Sequence, residues 1–165
     1  MRARDIMTRN PECCRRDDTA REAARVMRDQ DCGSVPIVDE GGRVVGIVTD
    51  RDLAIRGIAA GKDVNTKLND LMTPVAVTCG QDDDLRDVEQ KMAELQVRRI
   101  PIVDAGGRCL GIISQADIAR AAITDKTVTN EEVALVVEQI SQPSNRSRPR
   151  ETGTGFTETG VSPQF

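Results

Sequence analysis

The chain has 165 residues, a net charge of -4 and only 1% aromatic residues, so one domain with a core of Val, Ile, Leu, Met and Ala is expected. The absence of Trp, Tyr and any basic stripe argues against nucleic-acid binding, and the absence of His excludes the commonest general base and every His-containing zinc site. No apolar run approaches the ~20 residues of a membrane span, no signal peptide is visible, and an odd number of cysteines favours free thiols, so we expect a cytoplasmic protein.

The first predicted helix begins after Thr19. Thr19 and Glu22 have the spacing of a capping box, and apolar residues recur at helical spacing from there to Met27. Two apolar strands follow, "VPIVD" at 35–39 and "RVVGIV" at 43–48, and the Gly-Gly turn between them predicts a hairpin. A second helix is expected in "RDLAIRGIAA", residues 51–60.

The same order of elements returns 65 residues later. "DIMT" at 5–8 matches "DLMT" at 70–73, and residues 35–54 match residues 100–119 without a gap. About twenty of 54 aligned positions are identical, which indicates an internal duplication. Each copy reads as a β-α-β-β-α unit, and two such units can bury their sheet faces against each other about a pseudo-twofold axis. We divide the chain into repeats at 1–62 and 63–126, with a connector at 60–69.

The residues after the second repeat divide into two parts. A capped helix is predicted at 127–140, with an apolar stripe formed by Val133, Val136, Val137 and Ile140 that must pack on its own domain or on a partner chain. Residues 141–165 are polar and rich in Gly, Pro, Ser and Thr, which predicts a disordered tail.

The junction between the second strand and second helix allows two interpretations. In "GIVTDRD" (46–52), Thr49 and Asp52 can form a capping box, and Gly46 can allow close packing. The same atoms can bind a nucleotide: Gly46 permits close approach, Thr49 offers a hydroxyl at a helix N-terminus, and Asp52 can accept hydrogen bonds from a ribose diol. The second copy repeats this set as Gly111, Ser114 and Asp117.

These duplicated motifs, a strand of the form h-Pro-h-h-Asp, a glycine turn and Gly-h-h-[Ser/Thr]-x-x-Asp, resemble a tandem of CBS domains, or Bateman module, over residues 5 to 123. The stretch "TDRDLAIRGIAAG" is similar to that of stand-alone bacterial two-CBS proteins. The resemblance implies an α+β fold in which two α/β-type repeats form one CBS pair. It also implies a regulatory signalling module whose two clefts bind AMP, ADP, ATP or S-adenosylmethionine.

The resemblance assigns roles to individual residues. Asp52 and Asp117 would hold the ribose, and Thr49 and Ser114 would contact phosphate. The residues before the first hairpin strand would line the adenine and phosphate pocket; in the two copies these are Cys32, Gly33 and Ser34, and Val97, Arg98 and Arg99. Because arginine binds phosphate through charge-assisted hydrogen bonds, we expect unequal clefts, with the one lined by Arg98 and Arg99 preferring phosphorylated ligands.

The partners follow from the same resemblance. We expect a homodimer that acts on an unidentified regulated protein, with no required cofactor, no catalytic residues, no metal site and no membrane contact. The alternative is a ligand-free structural or protein-interaction dimer. Cys13, Cys14, Cys32 and Cys79 either behave as small apolar residues, which we favour because no Cys-x-x-Cys spacing is present, or form a metal or redox cluster.

Overall fold

The computed structural model describes residues 1–74 and 77–124, together with Glu131, Ala134, Val137 and Glu138 beyond them. Helices pack on two four-stranded sheets, which confirms the predicted mixed α and β fold of two related units. In chain order the elements are α1 (Ala3–Ile6), β1 (Thr8–Arg9), β2 (Cys14–Arg15), α2 (Ala20–Asp29), β3 (Ser34–Val38), β4 (Val44–Thr49), α3 (Asp50–Asp52), a π-helix (Leu53–Ile58), a 3₁₀ turn (Leu68–Asp70), β5 (Thr73–Pro74), β6 (Cys79–Gly80), α4 (Leu85–Leu95), β7 (Arg99–Val103), β8 (Cys109–Ser114) and α5 (Gln115–Thr124).

The two repeats exchange their first strands. The sheets have the strand orders β2-β3-β4-β5 and β1-β8-β7-β6. Strand β1 pairs antiparallel with β8, placing Thr8 opposite Ile112, whereas β5 pairs with β4, placing Thr73 opposite Ile47. The N-terminal segment therefore completes the sheet of the second repeat, and the segment after the connector completes the sheet of the first. The packed units do not coincide with the sequence repeats at 1–62 and 63–126.

Each sheet has its own apolar core, and the exchanged segments are part of it. Leu68 and Leu71 are fully buried against Val35, Ile37 and Val48 in the first unit. In the second unit Ala3 is fully buried in a cluster that includes residues of α4, β7 and β8. The C-terminal end of the predicted connector at 60–69 is thus part of the first unit's apolar core, through Leu68.

The predicted capping box of α2 is present. The backbone N–H of Thr19 donates to Glu22 Oε2 at 2.7 Å, and the N–H of Glu22 donates to Thr19 Oγ1 at 3.3 Å. The hydrogen bond from the backbone N–H of Thr19 lowers the pKa of Glu22, because this bond stabilises the ionised carboxylate.

The second helix of the first repeat differs from its counterpart. It widens into a π-helix, with Ala59 N donating to Ala54 O at 2.8 Å, whereas the aligned segment of the second repeat lies in the α-helix α5. Arg56, within the π-helix, donates to the carbonyls of Leu71 and Met72 at 3.1 and 2.9 Å. This arginine ties the helix to the chain that enters β5; Ala121 is at the aligned position in α5.

Most of the C-terminal region lies outside the described residues. Of the predicted helix at 127–140, only Glu131, Ala134, Val137 and Glu138 are described, and all four have helical backbone. The rest of that helix and the predicted tail at 141–165 lie outside the described residues. Among the helices that the structure does describe, none is long and apolar enough to cross a membrane.

Candidate functional site: two strand-to-helix junctions

Both predicted Gly-x-x-[Thr/Ser]-x-x-Asp motifs lie where a strand passes directly into a helix. At the β4–α3 junction, Thr49 N and Thr49 Oγ1 both donate to Asp52 Oδ2, at 3.0 and 2.7 Å. At the β8–α5 junction, Ser114 N and Oγ donate to Asp117 Oδ2 at 2.8 and 2.5 Å. The capping-box interpretation therefore holds at both junctions.

The second carboxylate oxygen, Oδ1, of Asp52 and of Asp117 lies near an arginine of the following helical turn. Asp52 Oδ1 lies 3.6 Å from Arg56 Nε, and Asp117 Oδ1 lies 2.5 Å from Arg120 Nη2. The aspartate side chains are only 16% and 10% exposed. Because Oδ2 already accepts two hydrogen bonds from the cap, a hydroxyl from outside the chain has its best acceptor at Oδ1.

Gly46 and Gly111 have a packing explanation in this structure. A Cβ built on Gly46 would lie 2.6 Å from Met72 Sδ and 3.1 Å from Thr73 O. On Gly111 it would lie 2.6 Å from Met7 Sδ and 2.9 Å from Thr8 O. Because the first strands are exchanged, Met7 of "DIMT" packs on Gly111 and Met72 of "DLMT" packs on Gly46. Contact of a ligand with these two glycines remains a prediction.

Arg99 reaches across from the second repeat to the first. The position that a Cβ of Gly33 would occupy is 2.8 Å from Arg99 Nη2 and 2.9 Å from Asp50 Oδ2. The backbone N–H of Asp50, at the β4–α3 junction, donates a hydrogen bond to the carbonyl oxygen of Gly33 at 3.2 Å. The Arg99 guanidinium thus lies beside the junction of the first repeat, and its role in a phosphate-preferring cleft stays a prediction.

The remaining predicted pocket residues have varied surroundings. Ser34 is buried at 6% exposure, whereas Arg98 and Cys32 are exposed. Val97 is partly buried and packs against the core of the second unit, so its side chain serves that core.

The two junctions differ in charge. The first has Asp50 after its capping threonine and Arg99 beside it; the second has Gln115 at the position aligned with Asp50. Sequence reasoning missed Asp50 and Arg56. The available signal for Asp50 was the change from Asp to Gln between otherwise similar motifs.

All five cysteines are free thiols. Burial raises the pKa of Cys79, and burial together with nearby Asp18 and Glu12 raises the pKa of Cys14 to about 12, so these two thiols stay protonated at neutral pH. Within residues 1–74 and 77–124, no three Cys, Asp or Glu side chains converge as a possible metal site.

A duplicated β-α-β-β-α unit, exchanged first strands and paired capping-box junctions define a class of two-repeat modules. The CBS domain family model matches residues 3–56 and 68–124. The chain belongs to the CBS domain family.

Similarity to individual proteins agrees with the family. The chain is 38% identical over 119 residues to hypoxic response protein 1 of Mycobacterium tuberculosis, covering 72% of this chain and 82% of that protein. A crystal structure of hypoxic response protein I with two coordinated zinc ions matches with a TM-score of 0.67 at 37% identity, covering 73% of this chain and 98% of the other.

Two similar structures contain adenosine compounds. The CBS domain pair of protein MJ0100, in complex with 5′-methylthioadenosine and S-adenosyl-L-methionine, has a TM-score of 0.68 at 29% identity and covers 73% of this chain and 94% of that one. CBSX2, in complex with AMP, has a TM-score of 0.67 at 26% identity and covers 76% of this chain and 98% of that one.

Proposed function

We propose that this protein is a non-catalytic regulatory module that binds an adenosine-containing ligand, AMP, ADP, ATP or S-adenosylmethionine, at its two strand-to-helix junctions. The observation that supports this most is the repetition of one geometry: at each junction the cap holds one aspartate oxygen and leaves the other, Oδ1, as the acceptor for a ligand. The AMP and S-adenosylmethionine complexes of two similar CBS proteins supply the ligand class.

The ribose is assigned to Asp52 and Asp117. A diol presents two adjacent hydroxyl donors, and a half-buried carboxylate oxygen with unused lone pairs accepts them well. Arg56 and Arg120 now pair with these oxygens, so the ribose either displaces each arginine or shares the oxygen with it.

The phosphate is better assigned to arginine than to the capping hydroxyls. Thr49 Oγ1 already donates to Asp52 Oδ2 and accepts from Asp52 N, so a phosphate contact there would break a cap hydrogen bond. Arg99, close to the first junction, can bind phosphate through charge-assisted and often bidentate hydrogen bonds without breaking a hydrogen bond of the cap. Ser114 is committed in the same way as Thr49.

The charges predict unequal clefts. Arg99 Nη2 and Asp50 Oδ2 lie 2.8 and 2.9 Å from the position that a Cβ of Gly33 would occupy, so the negative charge of Asp50 partly offsets the attraction of Arg99 for a phosphate at this junction. At the second junction Gln115 replaces the acid, and Arg98 is exposed. An adenosine ligand without phosphate avoids the repulsion between a phosphate and the Asp50 carboxylate.

The regulatory output is assigned to assembly with other chains. Ile55 and Ile58, on the π-helix, are 54% and 79% exposed, which leaves apolar surface for a second copy or for a regulated protein. A homodimer is proposed because closed twofold assembly is the commonest oligomer. The five free thiols suit a reducing cytoplasm.

Thermal unfolding with a ligand panel tests this function. AMP, ADP, ATP, S-adenosylmethionine and adenosine are each added to the full chain at millimolar concentration. A ligand at 100 times its dissociation constant stabilises the folded state by ~2.7 kcal/mol. Such a stabilisation should raise the melting temperature measurably. No shift with any of the five would contradict the proposal and favour the ligand-free interaction dimer. Chromatography of the recovered ATP checks for hydrolysis, and none is expected.

A further inference from the structure

At the first junction, β4–α3, a guanidinium and a carboxylate lie over the same glycine. The position that a Cβ of Gly33 would occupy is 2.8 Å from Arg99 Nη2 and 2.9 Å from Asp50 Oδ2. The two atoms are therefore within two hydrogen-bond lengths of each other. Any residue larger than glycine at this position would push both charged groups aside.

Both charged groups can still bind a ligand. Among residues 1–74 and 77–124, Arg99 and Asp50 form no ion pair, and the Arg99 guanidinium has no hydrogen-bond acceptor. Asp50 uses its other oxygen, Oδ1, to accept from the N–H of Arg51 at 2.7 Å. Because Asp50 is exposed and Arg99 is half-buried, a solute can reach both from the solvent.

The second junction has the same backbone but not the same charges. Gln115 N donates to Arg98 O at 3.0 Å, as Asp50 N donates to Gly33 O at 3.2 Å. Arg98 therefore takes the place of Gly33, and the neutral Gln115 takes the place of Asp50. The second junction offers a cation without a carboxylate, whereas the first offers both signs of charge.

The opposite charges of the first junction lie close to its proposed ribose acceptor. Asp50 and Asp52 both belong to the first turn of α3. A nucleoside whose ribose hydroxyls bind Asp52 carries its 5′ substituent on the same ring, so that substituent comes within reach of this turn. A 5′-phosphate would meet the Asp50 carboxylate, and like charges repel.

An α-amino acid group avoids this repulsion. It carries an ammonium and a carboxylate on one carbon atom, so a neighbouring carboxylate and guanidinium can bind both charges at once through charge-assisted hydrogen bonds.

We propose that the first junction binds the α-amino acid group of S-adenosylmethionine or S-adenosylhomocysteine, with its carboxylate on Arg99 and its ammonium on Asp50. This assignment rests on the proposed function, which supplies the ribose site, and goes further by giving one junction a single ligand chemistry. Gly33 determines this specificity, because its missing side chain leaves room for both charged groups. Phosphorylated ligands are left to the second junction.

A matched pair of ligands tests the proposal. S-adenosylhomocysteine and 5′-methylthioadenosine share the adenosine and the thioether, and only the first carries the amino acid group. Heteronuclear NMR titration of the full chain gives a dissociation constant for each junction, from the amides of Gly33 and Asp50 and from those of Arg98 and Gln115. S-adenosylhomocysteine should bind the first junction roughly tenfold more tightly than 5′-methylthioadenosine, with a clearly smaller preference at the second.

Three variants should each reduce this preference at the first junction by at least about threefold: Asp50→Asn, Arg99→Ala and Gly33→Ala. Asp50→Asn keeps the oxygen that accepts from Arg51 N, and the Cβ of Gly33→Ala meets only the ends of two side chains. The same Asp50→Asn change should strengthen AMP binding. Glu40→Gln removes an exposed negative charge in the hairpin turn and should leave the preference unchanged.

Two results would overturn the proposal and leave the proposed function standing. One is binding of AMP and 5′-methylthioadenosine at the first junction with no tighter binding of S-adenosylhomocysteine. The other is a preference that survives both Asp50→Asn and Arg99→Ala. Failure of every adenosine compound to bind would refute the proposed function as well. Because the preference is a ratio measured on one protein sample, a variant that is partly unfolded does not alter it.

Discussion

Asp52 and Asp117 each complete the capping box of a helix whose N-cap is Thr49 or Ser114, so a test of ligand binding must separate affinity from stability. Asp52→Ala removes the acceptor of two hydrogen bonds from Thr49, for which the loss of a cap costs ~0.5–2 kcal/mol. It also removes the 3.6 Å pair with Arg56, in which the arginine is 41% exposed and which contributes at most ~1 kcal/mol.

The chain contains a matched control for this cap. Thr19 and Glu22 form the same box at the start of α2, with Thr19 N and Oγ1 donating to Glu22 Oε2 at 2.7 and 2.8 Å. Glu22→Ala should lower stability by a similar amount and leave ligand affinity unchanged. Asp52→Ala should in addition weaken binding at its junction by ~1.5–3 kcal/mol, roughly 10- to 150-fold in the dissociation constant.

Calorimetric titration and thermal unfolding of the two variants give both quantities. Asp117→Ala should behave as Asp52→Ala does, with the loss at the second junction. If Asp52→Ala loses stability as Glu22→Ala does but binds the ligand like the unaltered protein, Asp52 serves the capping box alone and the ribose assignment is wrong.

Three further predictions follow from the geometry. Arg99→Ala should weaken AMP binding more than adenosine binding, and Asp50→Asn should strengthen AMP binding because it removes the carboxylate beside Arg99; equal effects on both ligands would contradict a phosphate role. Gly111→Ala should destabilise the fold by ~1–3 kcal/mol in urea unfolding, since its Cβ would lie 2.9 Å from Thr8 O, whereas Gly57→Ala, with its nearest atom at 4.0 Å, should stabilise by ~0.5–1 kcal/mol; the reverse order would refute the exchanged packing. Light scattering should give about twice 18.0 kDa, and a monomer at micromolar concentration would exclude the homodimer.

Local patterns predicted the hairpins and the capping boxes because a few neighbouring residues determine them. Thr19 with Glu22, and Thr49 with Asp52, are three residues apart, and their hydrogen bonds need no other part of the chain. The duplication further predicted a pseudo-twofold relation between the two repeats, because two similar units of this size bury apolar surface most simply against each other.

Long-range contacts were not visible in the sequence. Strands β1 and β5 have two residues each, too few for a periodic pattern, so their exchange between repeats could not be predicted. The reach of Arg99 to Gly33 depends on how the repeats pack, which spacing along the chain does not encode. The widening of the helix at 53–58 has no signature in "LAIRGI" that distinguishes it from an α-helix.

The most direct test of ligand binding at both junctions is a heteronuclear NMR titration of the full chain with AMP. We expect the amide signals of Thr49, Asp52, Ser114 and Asp117 to shift with saturable dependence on AMP, while those of Thr19 and Glu22, in the control capping box, stay in place. Unchanged signals at both junctions at millimolar AMP, or shifts of equal size at the control box, would contradict an AMP site at these junctions.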